Sequence, residues 1–190
     1  MSVRPAAYGF LMTHSKALLV IDVQNALCHG KGATYNALGI IDNINLVASR
    51  ARQAGVPVIY IQHDTESGAL KYQAEGWQLP KELENKNLDI YVRKQASDSF
   101  KETDLKDHLD RLDIQELIIC GMQSEFCVDS TLRCALSLGY AVTVIADGHT
   151  TVDNDIIPAS TISRHHNCTW ENITSYSSRA TAINANEIVL

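Results

Sequence analysis

Short apolar runs, almost unbroken by polar side chains, recur along this chain and are separated by longer stretches of helical period. They fall at 17–23, 56–63, 89–92, 116–122 and 141–147, and a sixth strand is expected at Ile188-Val189-Leu190. A strand buried on one face alternates polar and apolar residues; a continuous apolar run implies that both faces are covered, as in a parallel sheet. Between the runs, residues 40–54 carry a helical stripe at Ile41, Ile44, Val47, Ala48 and Ala51, which Gly55 stops. Thr103 is the expected N-cap of a helix through Leu105, Leu109 and Leu112, residues 128–138 form a helix ended by Gly139, and 156–173 form another with Pro158 in its first turn. Strand and helix in alternation predict an α/β fold, a three-layer α/β/α sandwich on a mainly parallel sheet of about six strands. Residues 64–88 lack periodicity and contain Gly68, Gly76 and Pro80. A loop of that length inside a compact domain is more often functional than idle.

Composition narrows the function classes. The 190 residues suit a single domain, read here as 16–190, with 1–15 as a flexible extension. No apolar run approaches the roughly 20 residues that cross a bilayer. The net charge of −6, without a lysine or arginine cluster, excludes the basic face by which proteins grip nucleic-acid phosphates. Residues 1–15 lack the apolar stretch of a secretory signal, so a cytoplasmic location and reduced cysteines are expected. The five cysteines (Cys28, Cys120, Cys127, Cys134, Cys168) contain no C-x-x-C pair, and the two N-x-T matches beginning at Asn167 and Asn172 are read as chance.

Ligands of open parallel sheets sit outside the carboxyl ends of the strands. Asp22 ends the first run, Lys94 lies just past the third, and Cys127 is in the turn after the fourth. A cysteine at the start of a helix meets about half a positive charge, which favours the thiolate, and the free amides of that turn suit an oxyanion. The alternative is a buried structural cysteine, the reading given to Cys120 and Cys134. A carboxylate in LLVIDVQ is costly to bury unless it is paired or used, and Lys94 would supply the pairing charge. The alternatives are a structural ion pair and a base that moves the thiol proton. His165 and His166 are helix neighbours that cannot both face one site, so one is read as packing and the other as solvated.

The blocks LLVIDVQN, YVRKQASDSF and IICGMQSEFCVDSTLRCALSLGYAVTVIADG, in order, resemble the isochorismatase-like cysteine hydrolases, whose members include nicotinamidases, carbamoylsarcosine-type amidases and streptothricin hydrolases. The resemblance spans roughly residues 16–166 and implies a Rossmann-like fold with Asp22, Lys94 and Cys127 as catalytic triad. It further implies a cis peptide between Met122 and Gln123, and an oxyanion hole formed by the backbone amides of Gln123 and Cys127. Nicotinamidases carry an Asp-x-His metal pair after the second strand; here the stretch reads Gln62-His63-Asp64-Thr65, and 66–88 contains no histidine, so no metal and no cofactor are expected. True isochorismatases lack the cysteine nucleophile. Glu75-Gly76-Trp77-Gln78-Leu79-Pro80 resembles the loop of the metal-free, streptothricin hydrolase-like members. Trp77 is then either a wall of the substrate pocket or a pin for the loop, with Leu27 and Phe100 as further lining candidates. The resemblance implies hydrolysis of a C–N bond in a small amide or lactam, by a homo-oligomer of two or four copies. A nicotinamidase, and a non-catalytic redox sensor using Cys127, stand as rivals. A dinucleotide-binding oxidoreductase lacks its G-x-G-x-x-G.

Overall fold

The computed structural model describes residues 15–190. Of the extension expected at 1–15, residues 1–14 lie outside the described residues, and Ser15 opens the first strand. Six strands, β1 (Ser15–Ile21), β2 (Val58–His63), β3 (Ile90–Lys94), β4 (Ile114–Met122), β5 (Ala141–Thr150) and β6 (Ala180–Ile183), form one sheet in the order β3-β2-β1-β4-β5-β6. Every neighbouring pair is parallel. The helices are α1 (Asn25–Cys28), α2 (Ala37–Gln53), α3 (Leu105–Arg111), α4 (Asp129–Ser137) and α5 (Ala159–Glu171). Short 3₁₀ turns at Gly30–Gly32 and Glu75–Trp77 and a π turn at Ser124–Val128 complete the described elements.

The continuous apolar runs have the cause inferred from them. Leu19, Ile21, Ile59, Ile61, Leu117 and Ile119 face a core shared with Leu109 of α3, Leu132 of α4 and Trp170 of α5. Their strand neighbours Leu18, Val20, Val58, Tyr60 and Ile118 face a second core against the Ile41–Ile44–Val47–Ala48–Ala51 stripe of α2. The sandwich therefore has three layers. α2 ends as Gly55 requires: at φ +74° its amide donates to Arg52 O (3.2 Å) and the next amide, Val56, to Ala51 O (2.8 Å), which closes the helix on its own last carbonyls.

Several boundaries differ from expectation. The sixth strand is Ala180–Ile183, paired with β5 from Val142 to Ile145, and not Ile188-Val189-Leu190. Those last residues serve packing instead: Ile188 is buried in the α2-face core while Val189 is exposed. β3 runs on to Lys94, two residues past the apolar run. Pro158 flanks α5 in an extended conformation rather than sitting in its first turn, and Asp153 Oδ1 accepts from the amide of Ala159 (2.8 Å) to cap the helix. Among the described residues, no helix is long and apolar enough to cross a membrane.

The strand order reverses between β1 and β4. Connections leave the two strands toward opposite sides, and a crevice opens at their carboxyl ends. Gly121 keeps that crevice narrow. It has φ +125°, and a Cβ there would lie 2.0 Å from Ile21 O, so only glycine lets β4 approach the end of β1 this closely.

Candidate active site

Each of the three reactive residues is delivered by the end of a strand. Asp22 follows β1 in a left-handed turn (φ +52°), its amide donating to Ile61 O (2.8 Å) and its carbonyl accepting from Gln24 (2.9 Å). Few non-glycine residues take this conformation, and aspartate is among the tolerant ones. Lys94 ends β3, two strands away from β1, a separation of about 9–10 Å. Its long side chain puts Nζ 2.8 Å from Asp22 Oδ2. Both groups are sealed from solvent, with side-chain exposures of 0% and 2%. The ammonium also donates to Ala96 O (3.0 Å) and Ser97 O (3.3 Å), and lies 3.4 Å from His63 Nδ1. The ion contact is close, yet neither oxygen of Asp22 accepts a well-directed hydrogen bond. A buried carboxylate in that state is a ready acceptor for a proton.

Cys127 sits within the π turn, one turn earlier than a simple helix start. The Val128 amide reaches back five residues to Gln123 O (3.2 Å), and the Phe126 amide donates to the same carbonyl (3.1 Å). The peptide between Met122 and Gln123 is cis. One potential ligand atom from each of Asp22, His63 and Cys127 lies within 4.8 Å of the others, so thiol, carboxylate and imidazole share one space with the Lys94 ammonium. The expectation of a resting thiolate is corrected. Burial, and then the Asp22 carboxylate, push the Cys127 thiol up to about 12, and the opposing effect of Lys94 is smaller. Desolvation outweighs the partial charge of the helix start.

Asp22, His63 and Cys127 are also the set among the described residues that could converge on a metal ion. Such an ion would share Asp22 with the ammonium 2.8 Å away. Burial, and then Lys94, hold the His63 imidazole below its ordinary range, toward the neutral form.

Trp77 is fastened through its backbone: Gln24 Nε2 and Gln62 Nε2 both donate to its carbonyl (2.9 Å each). Gln24, fully buried, also exchanges two hydrogen bonds of 3.0 Å with the backbone of His63, tying the ends of β1 and β2 to the 75–77 turn. The indole packs edge-on against Tyr72 (4.9 Å), and its Nε1 is buried without a partner. Leu27 packs partly into the α2-face core. Phe100 stacks on Tyr140 at 6.0 Å and, like Cys127, packs against the core shared with α3, α4 and α5. A cleft of ≈ 790 Å³ runs between Asn25–His29 and Glu75–Glu82, and a smaller one of ≈ 350 Å³ is lined by Lys94, Ala96, Asp64 and Arg93. Both are of a size that takes small molecules.

Behind Cys127 lies a cluster that sequence reading missed. Ser124, first residue of the π turn and 0% exposed, has Oγ 2.8 Å from His149 Nδ1 and 3.0 Å from Ser163 Oγ. His149 Nε2 is 2.8 Å from Asn167 Oδ1, and Asn167 Nδ2 donates to Ala146 O (3.0 Å). Burial holds His149 down to about 4. In the next turn Asp129 accepts from Trp170 Nε1 (2.7 Å) and Arg133 Nε (2.8 Å), and His166 Nδ1 stands 3.8 Å away. His166 packs on Trp170 (5.3 Å) while His165 is exposed, which divides the histidine pair between packing and solvent.

Comparison with known proteins agrees with this geometry. Two streptothricin hydrolases of Streptomyces noursei are each 38% identical to the chain over 157 residues, covering 78% of it. The chain spans only 57% and 62% of their lengths. The crystal structure of an isochorismatase from Pseudomonas putida KT2440 superposes with a TM-score of 0.84 at 26% identity, covering 92% of this chain and 90% of that one. Residues 16–170 match the Isochorismatase domain, a stretch that contains every strand end described above except that of β6. With its sheet and its sequence in agreement, the chain belongs to the isochorismatase family.

Proposed function

We propose that the chain hydrolyses a C–N bond of a small amide or lactam through a thioester on Cys127. The observation that carries this reading is the buried convergence of Asp22, Lys94 and Cys127, with Asp22 Oδ2 at 2.8 Å from the ammonium and without a directed hydrogen bond. With the thiol at about 12, roughly one molecule in 10⁵ would hold a thiolate unaided at pH 7. The proton must therefore leave as the bond forms. Asp22 takes it from Sγ while sulfur attacks the carbonyl carbon, and the carbonyl π pair moves to oxygen, where the amides of Gln123 and Cys127 receive it. Proton transfer exchanges one anion for another beside Lys94, so the site's net charge stays constant. Asp22 then protonates the nitrogen as the C–N bond breaks, and the amine departs. Water, deprotonated by Asp22, attacks the thioester; collapse frees the acid, and the sulfur regains its proton.

The likeness to streptothricin hydrolases at 38% identity, against 26% to a nicotinamidase of Arabidopsis thaliana, favours a substrate other than nicotinamide. A panel of small amides, lactams, ureides and nicotinamide, with trapping of an acylated Cys127 by mass spectrometry, tests the proposal. Cys127→Ala and Cys127→Ser should abolish turnover in a folded protein, and Asp22→Asn should lower kcat by about 10²–10⁴. A Cys127→Ala protein that kept most of its activity would end the thioester mechanism. Ammonia release confined to nicotinamide would favour a nicotinamidase, and activity lost to EDTA and restored by zinc or iron would bring a metal into the site.

A further inference from the structure

The Ser124–His149–Asn167 cluster touches none of the three reactive groups, yet its hydrogen bonds have a single consistent direction. Ala146 O can only accept, so the Asn167 amide must turn its NH₂ toward it and present Oδ1 to His149. Oδ1 in turn can only accept, which puts the His149 proton on Nε2. Nδ1 is left with a lone pair, so the Ser124 hydroxyl donates to it (2.8 Å), and Ser163 donates to Ser124 (3.0 Å). The imidazole, 2% exposed, is fixed from the side by the Trp170 ring at 5.1 Å. Its own backbone pairs with Gly121 at the glycine-only approach of β4 to β1.

The chain of donors ends at the π turn. Ser124 begins the five-residue segment that carries Cys127, and it directly follows Gln123, whose carbonyl closes the turn. π-type turns are rare and occur mostly as single turns, frequently at functional sites. Here the turn is supported by one hydroxyl anchored to β5 and α5.

We propose that His149, acting through Ser124 and oriented by Asn167, is a positioning residue that sets the π turn and thereby the attack geometry of the Cys127 sulfur. This rests on Cys127 being the nucleophile, as proposed above. In this relay His149 is not a base: its one free lone pair is occupied by Ser124, and it never meets substrate. A loss of alignment should appear in the chemical step and leave substrate binding little changed.

The test compares Ser124→Ala, Ser124→Thr and His149→Gln with the wild-type full chain, well below each protein's melting temperature. Two readouts are used: steady-state kinetics on any substrate found by the amide panel, and the rate of Cys127 carboxamidomethylation by iodoacetamide, followed on the Cys127 peptide by mass spectrometry. Ser124→Ala and His149→Gln should each lower kcat at least about tenfold with KM within about threefold, and change the Cys127 alkylation rate in the same experiment. Ser124→Thr, which restores the hydroxyl, should recover kcat to within about threefold of wild type. A Ser124→Ala protein that melts lower but keeps wild-type kcat and alkylation rate would reduce the cluster to a packing element and overturn the inference. So would a Ser124→Thr protein as impaired as Ser124→Ala. If no substrate shows Cys127-dependent turnover, the catalytic reading fails by itself, and the alkylation rates still decide whether the relay governs the thiol's setting.

Discussion

Two buried polar clusters flank the same turn, and they are built on opposite principles. In front of Cys127 are an ammonium, a carboxylate and a thiol, charged or chargeable, with both oxygens of Asp22 lacking a directed hydrogen bond. Behind it are a serine, a histidine and an asparagine, all neutral, each donor matched to an acceptor. A fully satisfied network rigidifies its surroundings, whereas a buried charged group with unfilled acceptor capacity is costly and remains open to a proton. Under the proposed function, adjacency of the two within one short segment would separate the task of holding still from the task of reacting.

The sharpest way to break this contrast is to unpair the front cluster. Lys94→Met leaves the Asp22 carboxylate buried without a counter-charge and should cost about 3–5 kcal/mol. For a domain of this size that lowers Tm by roughly 6–20 °C. Adding Asp22→Asn should return much of the loss, because the stranded charge disappears. Equal melting of Lys94→Met and wild type would mean that the pair is not compensating.

The rear cluster should show itself through pH. The unfolded chain binds a proton at His149 near 6.5, which the folded chain refuses until about 4, with Asp147 favouring protonation and His166 opposing it. Between those values the unfolded state holds more protons, so this site's contribution to stability falls as pH falls. The loss is on the order of 3 kcal/mol across the window. Denaturant titrations from pH 7 to 4 should therefore slope more steeply for wild type than for His149→Gln; parallel slopes would contradict a buried neutral imidazole.

The smallest effect belongs to Asp129, at the border of the rear cluster. Burial alone would raise its carboxyl, but the nearby His166 imidazole and the hydrogen bonds from Arg133 and Trp170 win and bring it down to about 2. Its stabilisation is present above the unfolded value of 3.8 and is lost as pH drops through about 2. For a half-buried, partly screened group this is about 1 kcal/mol. Asp129→Asn should remove that acid-side dependence, and a variant as acid-sensitive as wild type would refute the assignment.

The front cluster could be read from sequence because its members lie at or just past the ends of apolar runs: Asp22 within the first, Lys94 after the third and Cys127 in the turn after the fourth. The rear one could not. Ser124, His149 and Asn167 are unremarkable in their own segments, and Asn167 stands out only as a spurious N-x-T match. What makes them a unit is the pairing of β4 with β5 and the packing of α5, which no local pattern announces. The same limit misplaced the last strand. Ala180-Thr181-Ala182-Ile183 has weaker strand composition than Ile188-Val189-Leu190, but only the former lies where β5 offers an open edge. The Tyr140 ring on which Phe100 stacks was likewise beyond the reach of local pattern.

Gln24 and Gln62 grip the carbonyl of Trp77 and leave its indole alone. A main-chain oxygen is the one handle that every amino acid possesses. The side chain at position 77 can therefore be exchanged like a tool in a chuck while the turn that carries it stays held by Gln24 and Gln62.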